Sequence, residues 1–214
     1  PSSCLVKLGN THVCCSAILE DRVPGFLRNS GKGWLTAEYG MLPSSTNERM
    51  DREAAKGKQS GRTQEIQRLI GRSLRCAVNL DVLGEKTIKV DCDVISADGG
   101  TRTASIIGGY VSLVRTVNQY KKKFNLSKAI LTNQIAAISV GVVKGTPCID
   151  LDYVEDSSAE VDCNVVMAND GQFIEFQSTG EEAKFSKKTI LDFIDLVEHS
   201  MPDIFQLQNA AIEK

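Results

Sequence analysis

The sequence predicts an α+β domain with sheets and helices in layers, a single compact unit over residues 1–214. Three observations carry that expectation. Short alternating segments cluster at both ends of the chain, two long amphipathic helical patterns lie between them, and no internal repeat or heptad runs through. With 214 residues and 42 % hydrophobic content, the chain is long enough to bury a substantial core.

The opening CLVKLGNTHVCCSAILE reads as a β-hairpin with Gly9 and Asn10 at its turn. Residues 28–61 read as loop and broken strand, because Gly31, Gly33, Gly40, Pro43, Gly57 and Gly61 interrupt the periodicity and polar residues fill Ser44 to Ser60. Such a long irregular stretch is more often functional than merely connective. From Thr63 to Leu80 the pattern turns helical, with Ile66, Leu69, Ile70, Leu74, Ala77 and Val78 forming a stripe. At 100° per residue, Arg68, Arg72 and Arg75 fall within about 60° of one another opposite that stripe, so they are expected to share an exposed face.

Residues 86–97 alternate as a strand, and DGGT then leads into a second helix from Arg102 to Lys123 with Ile106, Ile107, Tyr110, Val111, Val114 and Val117 as its stripe. Lys121 to Lys123 would sit in its last turn, where cations complement the helix dipole. Strands are expected at Ile135–Val143, Cys148–Tyr153, Val161–Ala168 and Phe173–Gln177, with Asn169–Asp170–Gly171 as a hairpin turn. A final helix starts near Ser186, carries Ile190, Phe193, Ile194 and Val197 inward, and is interrupted at Pro202.

Charge and cysteine content narrow the function classes. The 25 Lys and Arg against 27 Asp and Glu exclude a uniformly basic nucleic-acid surface, so any polyanion site must be local. One such patch runs from Arg49 to Arg75, with eight basic and three acidic residues. Seven cysteines, an odd number with no CxxC pair and only two histidines, argue against a disulfide framework or zinc site and fit buried reduced thiols in the cytoplasm. No apolar run approaches membrane-spanning length. The chain opens at Pro1 directly before a strand-like run, so an upstream segment is expected to be missing.

Two helix starts could bind an anion. In DGGTRT, residues 98–103, a glycine pair lets backbone approach a ligand at a positive helix end, and Arg102 adds a guanidinium fork suited to phosphate. SGRT, residues 60–63, repeats the arrangement with Arg62. A tight connection is the plain alternative for either alone, while two together favour a shared anion pocket. Neither is a Walker loop or a GxGxxG fingerprint. EDSSAEVD, residues 155–162, supplies carboxylates: Asp156 and Asp162 are six apart, about 20 Å in a continuous strand and about 120° apart on a helix. Only a bend at Asp156–Ser157–Ser158 would bring both to one ligand, as a general acid or as magnesium ligands; otherwise they form a solvated acidic turn. His12 and His199 lack triad partners, and Trp34, Tyr39 and Phe26 read as packing residues before base-stacking ones.

The blocks GNTHVCCSA, GWLTAEYGMLP, REAAKGKQSGRTQEIQRLIGRSLR, DCDVISADGGTRTASI and LDYVEDSSAEVDCNVVM together resemble the ribonuclease PH family of phosphorolytic 3′ to 5′ exoribonucleases, in that family's order and over nearly the whole chain. The resemblance implies the ribonuclease PH fold of exosome core subunits and polynucleotide phosphorylase, and a homo-hexameric ring built as a trimer of dimers. It also implies phosphate-dependent release of nucleoside diphosphates from the 3′ ends of tRNA precursors. By motif, Arg62, Gly100, Thr101 and Arg102 would hold inorganic phosphate. Asp156 and Asp162 would be the catalytic acidic pair or place Mg²⁺, and Arg49 and Arg52 would contact RNA. The chain departs from the family where Ser44 replaces an expected arginine and where Asn47 and Glu48 replace a more basic pair. A noncatalytic RNA-binding or ring-forming subunit is the alternative reading. A small-molecule phosphotransferase is disfavoured by the missing Walker residues.

Overall fold

A computed structural model describes residues 2–181 and 184–213. Strands β1 (Ser3–Leu8), β2 (Thr11–Glu20), β3 (Trp34–Met41) and β4 (Thr87–Ser96) form a first sheet in the order β1-β2-β4-β3. Its pairs are antiparallel except β3 with β4, which run parallel. Strands β5 (Ile135–Val143), β6 (Thr146–Ile149), β7 (Val161–Ala168) and β8 (Phe173–Gly180) form an antiparallel second sheet in the order β6-β5-β7-β8. The helices are α1 (Gly61–Arg75), α2 (Leu80–Leu83), α3 (Thr101–Tyr120), α4 (Tyr153–Ser157) and α5 (Lys187–Ile212).

The layering follows from which faces are apolar. Helix α3 is buried almost all round, as a helix must be when sheets cover it on two sides. It packs with α1 into one core against the inner face of the first sheet, including Leu35, Ile88 and Val90. On the other side the same core takes Ile135 and Ala137 of β5 with Val166 and Ala168 of β7. The alternate residues Ala136, Ile138, Val140, Val161, Cys163 and Val165 face a second core, closed by Phe193, Val197 and Met201 of α5. The second sheet is thus apolar on both faces, and β5 reads as a continuous hydrophobic run for that reason. Near the C-terminus of α5, the Gln208 side chain, 2 % exposed, donates to the Ile107 and Ile135 carbonyls.

Several boundaries differ from the sequence expectations. β3 is a regular eight-residue strand within the stretch expected to be irregular. Gly33 precedes it where a Cβ would strike Leu83, so that glycine marks close packing and not a break. Helix α1 stops at Arg75, and Ala77 and Val78 stay buried in the following turn. Lys121 is the C-cap of α3, so Lys122 and Lys123 lie outside it. The expected strand Cys148–Tyr153 ends at Ile149, because Asp152 caps α4 and Tyr153 opens it. Helix α5 runs through Pro202, held on either side by Met201 and Phe205 in the second core. Cys14 and Cys76 are exposed, whereas Cys15, Cys92 and Cys163 are buried. Among the described residues, no helix is long and apolar enough to cross a membrane.

The arginine face of α1 also divides. Arg68 is exposed, and Arg72 reaches across to β8, its Nη2 2.6 Å from Glu175 Oε1. Arg75 turns inward, donating to the Leu35 carbonyl at 3.0 Å and lying 4.8 Å over the Trp34 ring. Burial pulls its guanidinium pKa below the ordinary value. Arg75→Ala is expected to lower unfolding stability by about 1–3 kcal/mol, through the lost charged hydrogen bond and cation–π contact. Arg68→Ala should change it by under about 0.5 kcal/mol. Urea denaturation of the two variants checks the contrast.

Candidate active site

Three pieces of chain converge where the first sheet, α3 and the second sheet meet. The first is the start of α1. Ser60 is its N-cap, accepting from the Thr63 amide at 3.1 Å, and Glu53 Oε1 accepts from the Ser60 amide at 3.1 Å and the Thr63 hydroxyl at 2.8 Å. Although burial opposes it, these bonds hold the Glu53 carboxyl below its ordinary pKa. Arg62, the second residue of the helix, projects from this pinned end and is exposed.

The second piece is the turn into α3. Gly99 and Gly100 have φ of 76° and 57°, the left-handed region where a side chain is strained. A Cβ on Gly99 would also drive into the Leu151 carbonyl, so that turn lies directly on the segment leading to α4. Thr11 Oγ1 donates to the Gly99 carbonyl at 2.6 Å and accepts from the Asp98 amide at 2.8 Å. The Asp98 carboxylate accepts from Asn10 Nδ2 at 2.9 Å and from the Tyr153 amide at 3.2 Å. Thr101 is fixed by a 2.9 Å hydrogen bond between its hydroxyl and that of Tyr39. Arg102 follows, its side chain only 16 % exposed.

The third piece is α4 and the start of β7. Asp152 and Glu155 form a capping box at 2.8 and 3.2 Å, which lets a five-residue helix form. The chain turns over 158–160 and enters β7, so Asp156 near the end of α4 and Asp162 near the start of β7 face one cleft of about 690 Å³. Arg62, Gly100, Thr101 and Arg102 line the same cleft. The bend that a shared ligand requires is therefore present, built as a capped helical turn and not as the simple turn expected at residues 156–158.

Burial raises the pKa of both carboxyls. For Asp156 the positive charges of Arg102 and Arg62 act against that rise. For Asp162 the negative charge of Asp156 adds to it. Ionising both members together is thus opposed by burial and by their mutual repulsion. Asp162 Oδ1 is buried with no hydrogen-bond partner among the described residues, so it has an unmet need for a proton or a cation. No cluster of three or more His, Cys, Asp or Glu suited to a metal occurs among the described residues. Two carboxylates with an orphaned oxygen still fit Mg²⁺, which takes one or two carboxylates plus substrate phosphate.

Arg49 and Arg52 do not line this cleft. They are exposed on the neighbouring segment, Arg49 3.8 Å from Asp51, while Met50 between them does line it. Ser44, Asn47 and Glu48 line an adjoining groove. His12 and His199 lie outside the cleft lining, and Trp34 is a packing residue beneath Arg75, edge-on to Phe26 at 5.5 Å. The sequence reading missed Ser139, Tyr153, Asn164 and Glu181 in the lining. Tyr153 and Asn164 flank the acidic motif and could have been tested by it, whereas Ser139 and Glu181 reach the cleft only through the pairing of β5 and β8 with β7.

Comparison with known proteins agrees with this geometry. Residues 1–117 match the model of the 3′ exoribonuclease family, domain 1, and residues 133–196 match domain 2. Among solved structures, rice (Oryza sativa) Rrp46 is similar with a TM-score of 0.79 at 17 % identity, over 99 % of this chain and 88 % of that one. The Archaeoglobus fulgidus exosome with RNA bound to the active site gives 0.75 at 18 % identity, over 97 % and 82 %. An archaeal exosome core gives 0.70 at 19 % identity, over 98 % and 80 %. With both domain models matched in order and the fold shared with exosome subunits, the chain belongs to the ribonuclease PH family of 3′ exoribonucleases.

Proposed function

We propose that this chain is an active phosphate-dependent 3′ to 5′ exoribonuclease, a nucleotidyltransferase that trims tRNA precursors in the cytoplasm as a homo-hexameric ring. The observation that carries the proposal is the convergence of Arg62, Arg102, Asp156 and Asp162 on one cleft. In this reading Arg62, Arg102 and the Gly100–Thr101 turn hold inorganic phosphate against the terminal phosphodiester, offsetting the repulsion between two anions. A phosphate oxygen forms a bond to the diester phosphorus as the bond to the 3′ oxygen breaks. The terminal residue departs as a nucleoside diphosphate, and the freed 3′ oxygen takes a proton.

That proton comes from the Asp156 and Asp162 pair, whose raised pKa values keep one carboxyl protonated to higher pH than an exposed one. Alternatively, with both carboxylates ionised, the same two residues would hold Mg²⁺, which would supply charge neutralisation at the phosphates and the leaving oxygen in place of that proton. Arg49 and Arg52, exposed beside the cleft, are assigned to the RNA chain. The similar Archaeoglobus fulgidus complex has RNA bound to its active site, which supports an RNA substrate here.

The decisive experiment incubates the protein with a tRNA precursor bearing a 3′ extension, with and without phosphate and Mg²⁺. Nucleoside diphosphates are expected only with phosphate, and their absence, or their appearance without phosphate, overturns the proposal. Asp162→Asn should cut kcat by about 10²–10⁴-fold, the range for loss of a general acid. Arg62→Ala should raise the phosphate KM while leaving RNA binding in a filter assay intact.

A pH-dependent stability difference follows from the raised pKa of Asp162. The folded chain holds this proton to higher pH than the unfolded chain does. The contribution is therefore complete below the ordinary carboxylate value and lost as pH rises through the raised one. With EDTA present, Asp162→Asn is expected to have a higher Tm than wild type at neutral pH, with the gap closing in acid. Thermal scans at several pH values check it.

A further inference from the structure

The geometry points to Glu65 as a positioning residue for Arg102, an inference that rests on the phosphorolytic reading above. Glu65 stands three residues after Arg62 on α1, so the two side chains leave the helix about 60° apart. Its Oε1 lies 3.7 Å from Arg102 Nη1 and accepts a hydrogen bond from Gln177 Nε2 at 3.4 Å. Gln177 is paired across the second sheet with Asn164, which lines the cleft two residues beyond Asp162. One carboxylate therefore touches an arginine of the anion-binding side and a strand of the acidic side.

Such a tie has a physical reason. Arg62 and Arg102 point like charges into one cleft, and Arg102 is mostly withdrawn from water. Asp156 and Asp162 also attract Arg102 from across the cleft, so without Glu65 the guanidinium would be drawn toward that pair and away from Arg62. Among the described residues, Glu65 is the carboxylate paired with Arg102. At 47 % exposure Glu65 is itself half in solvent, so its attraction to Arg102 is moderate and its effect is on placement. A second contact supports the same seam: Arg72, two turns further along α1, meets Glu175 on β8 at 2.6 Å. Residues 65 and 72 of the helix thus meet residues 177 and 175 of the strand, which holds Glu65 where it can reach Arg102.

The test separates placement from charge. Glu65→Ala is expected to raise the phosphate KM about two- to fivefold, the scale of a half-exposed ion pair, with a smaller fall in kcat. Glu65→Gln, whose amide oxygen can accept from both Arg102 and Gln177, should recover most of that loss. The increase in Tm produced by inorganic phosphate should shrink in Glu65→Ala and return in Glu65→Gln, a readout that does not need turnover. An unchanged or lowered phosphate KM in Glu65→Ala, or a Glu65→Gln variant no better than it, overturns the positioning role. A wild-type protein whose Tm responds to phosphate but which releases no nucleoside diphosphate would sink the phosphorolytic reading while leaving the Glu65 effect on phosphate measurable.

Discussion

The contact of the Gly99 turn with the Leu151–Asp152 backbone is the constraint on which the site depends. It brings the start of α3 against the start of α4, so that the glycine turn and the acidic motif are neighbours by construction. Only a residue without a Cβ allows the approach, and the left-handed φ of both glycines favours glycine there as well. Asp98 secures both sides at once, holding the β1–β2 turn through Asn10 and α4 through the Tyr153 amide. The Gly99–Gly100 turn is thus braced by two elements distant in sequence, which is how a loop attains rigidity.

Around that contact the layers supply stiffness. Helix α3 is enclosed by apolar surface from both sheets, so its N-terminal residues cannot shift without disturbing a close-packed core. Helix α1 contributes its own pinned end through Ser60 and Glu53, and its far end is clamped by Arg75 lying over the Trp34 ring. The carboxylates are carried on less regular chain, and there the energetics run the other way. Burial and mutual repulsion raise the pKa of Asp162, a destabilising arrangement at neutral pH that the surrounding cores offset.

Much of this was legible in the sequence. The alternation of β2 and the stripe of α1 appear as period two and period 3.6 because each faces a core on one side, whereas β5 and α3, covered on both sides, read as apolar runs. The glycine and arginine pairs at two helix starts, with the bend demanded by Asp156 and Asp162, indicated the site's residues before any geometry was known. What the sequence concealed is non-local. β3 was obscured in part because Gly33, just before it, serves close packing against Leu83 of α2, a reason invisible along the chain. Arg75 read as a solvated face residue because helical angle alone does not reveal that a neighbouring tryptophan lies over that face. Ser139 and Glu181 enter the cleft through strand register, which no local pattern encodes.

The two-faced burial of the second sheet has a consequence for strand register. Asp162 follows Val161, a core residue, and alternation puts the carboxylate on one side of β7 and the valine on the other. A slip of β7 by one residue would turn the carboxylate into the α5 core and push Val161 into the cleft. Misregistered chains are therefore both unstable and inert.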